Sequence, residues 1–162
     1  MNLLILGAGG HGNVVRETAL TDKRFGDISF LDDVSANAVG TISEYKKMRK
    51  YYPAAFVGIG NNQLRMQLIE MLREADYDIV TLIHPLAYVS PSAGISKGTI
   101  VEPYAIINTN SSIGSGCIIS VGSIVEHDSR IGNCCHINSG AIVRPASVLP
   151  DLTRVDSGVV YG

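Results

Sequence analysis

The chain has 162 residues, enough for one or two small domains, and its 46% hydrophobic and 17% charged content is that of a folded globular protein. A net charge of −2 with no block of like charges argues against a nucleic-acid binder or a polybasic membrane-surface protein. No apolar run approaches the roughly 18 residues of a membrane span, and the opening MNLLILGAGG lacks the basic and long apolar regions of a signal peptide, so a cytoplasmic location is expected.

In chain order, Asn2 to Leu6 is a short aliphatic run that predicts a strand. Gly7-Ala8-Gly9-Gly10-His11-Gly12 follows, then a helix over Asn13 to Thr21 with Val14, Val15 and Leu20 on its apolar side. Ile28 to Leu31 predicts a second strand, ending in Asp32-Asp33, and Ser43-Glu44-Tyr45 opens a basic helical turn running to Tyr52. Ala55 to Ile59 is a third strand, closed by Gly60-Asn61-Asn62. Gln63 to Ala75 reads as a helix, because Leu64, Leu68, Ile69 and Leu72 recur at helical spacing. Asp78 to Ile83 is a fourth strand, and Pro85 in Ile83-His84-Pro85-Leu86 marks a break. Strands alternating with helices predict a parallel α/β sheet.

The glycine loop matches G-x-G-x-x-G between a strand and a helix, and Asp32 follows Gly12 at the spacing of a ribose-binding acid. A dinucleotide site needs two βαβαβ halves, and only about one fits before the pattern changes. The loop therefore suits a mononucleotide-sized group, with its amides and the helix N-terminus holding phosphate and Asp32 or Asp33 a ribose or base. Glycines serving only a tight turn, or a nicotinamide-dinucleotide enzyme, are the alternatives.

From Val89 the chain falls into twelve unbroken hexads. The first places are Val89, Ile95, Val101, Ile107, Ile113, Ile119, Val125, Ile131, Ile137, Val143, Leu149 and Val155, all branched aliphatics. The fifth places, from Ala93 and Thr99 to Thr153 and Val159, are small or compact. Six residues rotate a helical side chain by about 240°, which would scatter the aliphatics; on a strand six is even and keeps them on one face. With Gly, Pro, Asn, Asp or Ser turning the chain in each hexad, the pattern predicts a β-solenoid whose coils stack on a buried aliphatic ladder, the small fifth residue filling an interior corner. An antiparallel sandwich would explain alternation but not a strict period of six. Cys117, Cys134 and Cys135 fit no zinc spacing; Cys117 and Cys135 fall at fifth places and read as packing residues.

His127 and His136 occupy no inward place and should lie outside the solenoid or at a coil edge. His127 is flanked by Glu126 and Asp128, which can hold one tautomer and stabilise the imidazolium, as a general base requires; a solvated surface histidine is the alternative.

These segments together resemble the bacterial nucleotide-sugar acetyltransferases, which include the sialic-acid O-acetyltransferases and the UDP-4-amino-sugar N-acetyltransferases. The likeness rests on Gly7 to Gly12, Phe30-Leu31-Asp32-Asp33, Ile59-Gly60-Asn61-Asn62 with Arg65, Leu82-Ile83-His84-Pro85, and Val125-Glu126-His127-Asp128 followed by Ile131-Gly132 and His136. It implies an α/β Rossmann-like domain over residues 1–85 and an all-β left-handed parallel β-helix over residues 86–162. It also implies acetyl transfer from acetyl-CoA to an amine or hydroxyl of a nucleotide-linked sugar, without a metal, in a homotrimer with acetyl-CoA between neighbouring β-helices. His127 would be the general base and Asp128 the acid raising its basicity. Gly9, Gly10, His11, Asp32, Asp33 and Gly60 would line the nucleotide-sugar pocket. His136, Gly140 and Gly162 are the expected acetyl-CoA contacts, with amides near Gly140 meeting the oxyanion and Arg130, Arg144 or Arg154 the CoA phosphates. Two features depart from the family: about one coil is missing after His136, and Ser120 stands where some amino-sugar enzymes carry Asn. The apolar end Val159-Val160-Tyr161 also calls for a covering element. These departures leave a non-catalytic nucleotide-sugar-binding or scaffold protein as the rival.

Overall fold

A computed structural model describes residues 1–162 in two compact units, Met1–Val80 and Thr81–Gly162. The first unit is a four-stranded parallel sheet. β1 (Leu3–Leu6), β2 (Ile28–Leu31), β3 (Ala54–Val57) and β4 (Asp78–Ile79) lie in the order β2-β1-β3-β4. β1 is central, and all four of its residues are fully buried, as a parallel strand covered on both faces demands. Helices α1 (Gly10–Leu20), α2 (Tyr45–Met48) and α3 (Asn62–Glu74) connect the strands.

α1 begins three residues before the predicted start, since Asn13 N–H already donates to the Gly9 carbonyl. Its buried stripe is Gly12, Val15, Thr18 and Ala19; the expected Val14 and Leu20 are exposed. The helix turns Gly12 inward because no larger residue fits, a Cβ there colliding with the Gly7 carbonyl oxygen. In α3, capped by Asn61 Oδ1 accepting from Leu64 N–H at 2.9 Å, the inward places are Arg65, Leu68, Ile69 and Leu72. Leu64, expected inside, is 42% exposed, and Arg65 takes its place at 1%. The basic turn is a 3₁₀ turn, Ile42–Glu44, running into α2, which ends at Met48.

The second unit is the solenoid. Its two-residue strands form three parallel sheets, the faces of a prism. The first face carries Leu82–Ile83, Ile100–Val101, Ile118–Ile119, His136–Ile137 and Arg154–Val155; the second Tyr88–Val89, Ile106–Ile107, Ile124–Val125, Ile142–Val143 and Val160–Tyr161. The third carries Gly94–Ile95, Ser112–Ile113, Arg130–Ile131 and Val148–Leu149. Partners such as Ile100, Ile118 and His136 stand one coil, or three hexads, apart. Ten of the twelve first-place aliphatics, Val101 to Val155, form one buried core cluster, and the partly buried Val89 and Ile95 pack against it. At the fifth places, Thr99, Ser111, Cys117, Ser129 and Cys135 each donate to a carbonyl of the next coil at 2.8–3.1 Å, so compactness there serves hydrogen bonding as well as space. The three cysteines are buried and none is in a disulfide.

Two expectations are corrected. The run Asp78 to Ile83 is not one strand: Asp78–Ile79 pairs with β3, whereas Leu82–Ile83 pairs with Ile100–Val101. The boundary therefore falls at 80/81 and not 85/86. Pro85 turns a corner within the first coil and does not mark a junction, because His84 N–H already donates to the Val101 carbonyl. No helix is long and apolar enough to cross a membrane.

Candidate active site

Each hexad turns its corner at the fourth place, and from Gly98 to Gly158 all eleven of those residues have positive φ. Five are glycine; the others are Tyr104, Asn110, Asp128, Cys134, Ala146 and Leu152. A non-glycine residue in this region is uncommon, Asn and Asp tolerating it best. Asp128, at φ 60°, folds its carboxylate back along the chain so that Oδ2 lies 2.7 Å from His127 Nδ1. The pair sits at the edge between the second and third faces with about half of each side chain exposed (51% and 53%). The hydrogen bond from His127, then one from Asn110 Nδ2 to Asp128 Oδ1 at 3.2 Å, holds the Asp128 carboxyl below its ordinary value. With Nδ1–H directed at the carboxylate, His127 Nε2 is the basic nitrogen.

The hexad INTNSS, one coil earlier, holds this edge. Asn108 Nδ2 donates to Glu126 Oε2, Asp128 N–H donates to the Thr109 carbonyl, and Ser111 Oγ donates to the Glu126 carbonyl. From the next coil, Ala146 N–H donates to the His127 carbonyl. Sequence reasoning missed Asn108 and Asn110; a shift of one coil from Glu126 and Asp128 is the signal that finds them.

His136 lies on the first face, the side of the prism opposite the His127 edge. Its Nε2 is 3.1 Å from Ser120 Oγ. Beside it, at the edge between the first and second faces, is a buried polar column. Glu102, 7% exposed and with its carboxyl raised by burial, accepts from Val121 N–H, and Asn138 Nδ2 donates to the Val155 carbonyl. One chain thus does not bring His127 and His136 together. Gly140 shares the edge of this column, but its N–H donates to the Val121 carbonyl at 3.1 Å, so the expected oxyanion donor is already engaged. The neighbouring Ser139 N–H donates to no group of the chain. Gly162 returns to the His127 edge two coils on, its carbonyl accepting from Arg144 Nη1. Arg130 and Arg154 lie on the third and first faces, and Arg154 Nε donates to Asp156.

In the first unit the glycines divide by task. Gly7, at φ +99°, makes the tight turn, and Gly12 and Gly58 let helix and strand approach. A Cβ at Gly9, Gly10 or Gly60 would meet nothing within 4 Å, so these three border open space. His11, in the first turn of α1, is held neutral: burial, then the nearby Arg65 guanidinium, lowers its pKa from 6.5 to about 4. Arg65 itself donates to the Ile59 and Gly60 carbonyls and to Asn62 Oδ1. The Asp32 carboxylate accepts from the N–H groups of Ala8, Val34 and Ser35, which lower its pKa, so its first task is to clamp two loops together. Asp33 Oδ1 accepts from Ile42 N–H. A cavity of about 320 Å³ lies alongside, walled by Asn13, Arg16, Ile28, Ser29, Phe30 and Asn37; none of the six expected pocket residues lines it.

A glycine-loop α/β unit followed by a parallel β-helix with an edge His–Asp pair defines a two-unit hexapeptide-repeat protein of the acyltransferase type. The comparisons agree. Residues 2–72 match the PglD N-terminal domain family. In sequence and in structure the chain is similar to N-acetyltransferases of nucleotide-linked amino sugars. It is 38% identical over 109 residues, 60% of its length, to the UDP-N-acetylbacillosamine N-acetyltransferase of Bacillus subtilis (strain 168), and the match spans half of that relative. Its structure is similar to the acetyltransferase domain of PglB from Neisseria gonorrhoeae FA1090 (TM-score 0.90, 28% identity, 99% of this chain and 91% of that one). It is also similar to PerB from Caulobacter crescentus, solved with CoA and GDP-perosamine (TM-score 0.85, 30% identity, 100% of this chain and 89% of that one).

Proposed function

We propose that the protein transfers the acetyl group of acetyl-CoA to the amine of a nucleotide-linked amino sugar, with His127 as general base. The 2.7 Å contact between His127 Nδ1 and Asp128 Oδ2 carries this reading, because it leaves Nε2 basic at an open edge. Nε2 takes a proton from the attacking amine as nitrogen bonds to the thioester carbonyl carbon, and the imidazolium gives that proton to sulfur as the carbon–sulfur bond breaks, so that CoA leaves as the thiol. The amine, rather than a hydroxyl, is favoured by the N-acetyltransferase relatives. The nucleotide lies against the open glycines Gly9, Gly10 and Gly60. The buried Arg65 and the N-terminus of α1 favour its phosphates, His11 stays neutral beside them, and Asp32 and Asp33 order the loops around it.

The working form in this proposal is a homotrimer. The second face of the prism shows solvent an apolar ladder of Tyr88, Ile106, Ile124, Ile142 and Val160, with the end members 55% and 50% exposed. A closed three-fold ring that turns these faces inward sets the His127 edge of one chain against the edge between first and second faces of the next. There Ser120, His136 and the Ser139 N–H meet the thioester, the amide acting as oxyanion donor. Acetyl-CoA is a cytoplasmic metabolite, so the reaction runs in the cytoplasm.

The test is CoA thiol release with acetyl-CoA and UDP- or GDP-linked 4-amino sugars. His127→Ala is expected to lose at least about 10²-fold in rate, with the trimer intact by light scattering. Retained activity in that variant refutes the assignment. Stabilisation by UDP alone, without thiol release, points instead to a nucleotide-sugar-binding protein.

A further inference from the structure

We infer that Asn110 is a positioning residue for the His127–Asp128 pair, a role that rests on the general-base reading above. Asp128 has two carboxylate oxygens, and only one can face His127. Asn110 Nδ2 donates to Oδ1 at 3.2 Å, which leaves Oδ2 for His127 Nδ1 at 2.7 Å. Asn110 is itself fixed from the coil before it, its backbone N–H donating to Ser92 Oγ at 3.0 Å, and Ser92 Oγ lies 3.2 Å from Ser90 Oγ. A polar chain therefore crosses three coils, from Ser90 and Ser92 through Asn110 to Asp128 and His127. Asn110 and Asp128 occupy equivalent corners with φ 58° and 60°, so the same left-handed turn projects both side chains from the edge, one above the other. A glycine, present at five of the eleven corners, would make that turn with less strain, but it carries no donor.

Without that donor the Asp128 carboxylate is free to rotate, and the imidazole is released toward the tautomer with hydrogen on Nε2. That tautomer has no basic nitrogen facing the acceptor amine. In this role Asn110 acts through Asp128.

Two variants separate positioning from folding. Asn110→Gly removes the donor while relaxing the backbone; Asn110→Asp keeps a residue tolerant of positive φ but cannot donate as a carboxylate. The readouts are ¹⁵N NMR of the histidine ring nitrogens at alkaline pH, with the His127 signals assigned by their loss in His127→Ala, and steady-state kinetics. The wild-type protein is expected to show His127 with hydrogen on Nδ1. Both variants are expected to show a mixture of tautomers, with kcat lowered about tenfold, the low end of what outer partners of an oriented imidazole are worth, and both KM values unchanged within about twofold. A wild-type tautomer in both variants overturns the proposal, whatever happens to melting temperature or rate. The NMR measurement needs no turnover, so a protein without transferase activity would sink the functional reading and still leave the role of Asn110 decided.

Discussion

His11 makes the stability of the chain depend on pH in a calculable way. Its pKa is lowered from 6.5 to about 4 in the folded protein, by burial first and by the Arg65 guanidinium second. A base with a depressed folded pKa binds its proton more readily when unfolded. Stability is therefore full above the unfolded value of 6.5 and is lost as pH falls from there toward about 4, below which both states are protonated and the loss levels off. The full shift corresponds to about 3 kcal/mol at 1.36 kcal/mol per pH unit. At about pH 5 the unfolded imidazole is nearly all charged and the folded one nearly all neutral, so the loss relative to about pH 7.5 is about 2 kcal/mol. Depressed carboxylates such as Asp32 and Asp128 contribute little in this window, since they remain ionised in both states until lower pH. Urea unfolding followed by circular dichroism at the two pH values measures the loss. His11→Gln, neutral throughout, should reduce the pH-dependent loss by about 2 kcal/mol whatever its own effect on baseline stability. An unchanged dependence in that variant would refute the placement of His11 in a buried, positively charged environment.

Other substitutions probe the frame around both sites. Gly12→Ala drives a methyl into the Gly7 carbonyl and should cost at least about 2 kcal/mol in chemical unfolding, far beyond the small gain Ala brings to an ordinary helical site. Ile119→Ala, in the middle of the fully buried ladder, should cost about 2–5 kcal/mol by the same measurement. Arg65→Met fills similar space but leaves the Ile59 and Gly60 carbonyls without their guanidinium donor; faster amide exchange confined to residues 58–62, and weaker binding of UDP by calorimetry, are expected. Asp32→Ala removes the acceptor shared by Ala8, Val34 and Ser35 and should cost about 1–3 kcal/mol, with no such loss for a control at the exposed Glu17.

The solenoid was legible because its signal is redundant: twelve aliphatics repeat one spacing, and a single exchange cannot hide it. The Asp128–His127 contact was only half legible: the sequence flanks His127 with Glu126 and Asp128, the family resemblance alone picks Asp128, and the left-handed corner that turns its carboxylate onto Nδ1 appears only in the fold. Asn110 and Asn108 lie one coil from their partners, and adjacency across coils becomes visible only after the hexads are stacked in threes. The first coil was missed because Leu82 and Ile83 continue an aliphatic run that starts in the sheet, and apolar content alone does not say which sheet a strand joins. Val14 and Leu20 were placed inside on hydrophobicity, yet the close approach of Gly12 to Gly7 sets the rotation of α1. Arg65 entered the core in place of Leu64 because two carbonyls at the end of β3 need donors, a demand invisible to apolar periodicity. The engagement of the Gly140 amide follows from the corner geometry, in which fourth-place N–H groups reach back to the preceding coil.

That geometry has an evolutionary consequence. Eleven successive corners share one backbone shape, and six of them already bear side chains as different as Tyr104, Asp128 and Leu152. The edges therefore act as rows of interchangeable mounts, where a reactive residue can be relocated by whole coils without redesigning the scaffold beneath it. A dyad moved by whole coils would find the same corner, but it would also need a donor one coil earlier, as Asn110 is for Asp128.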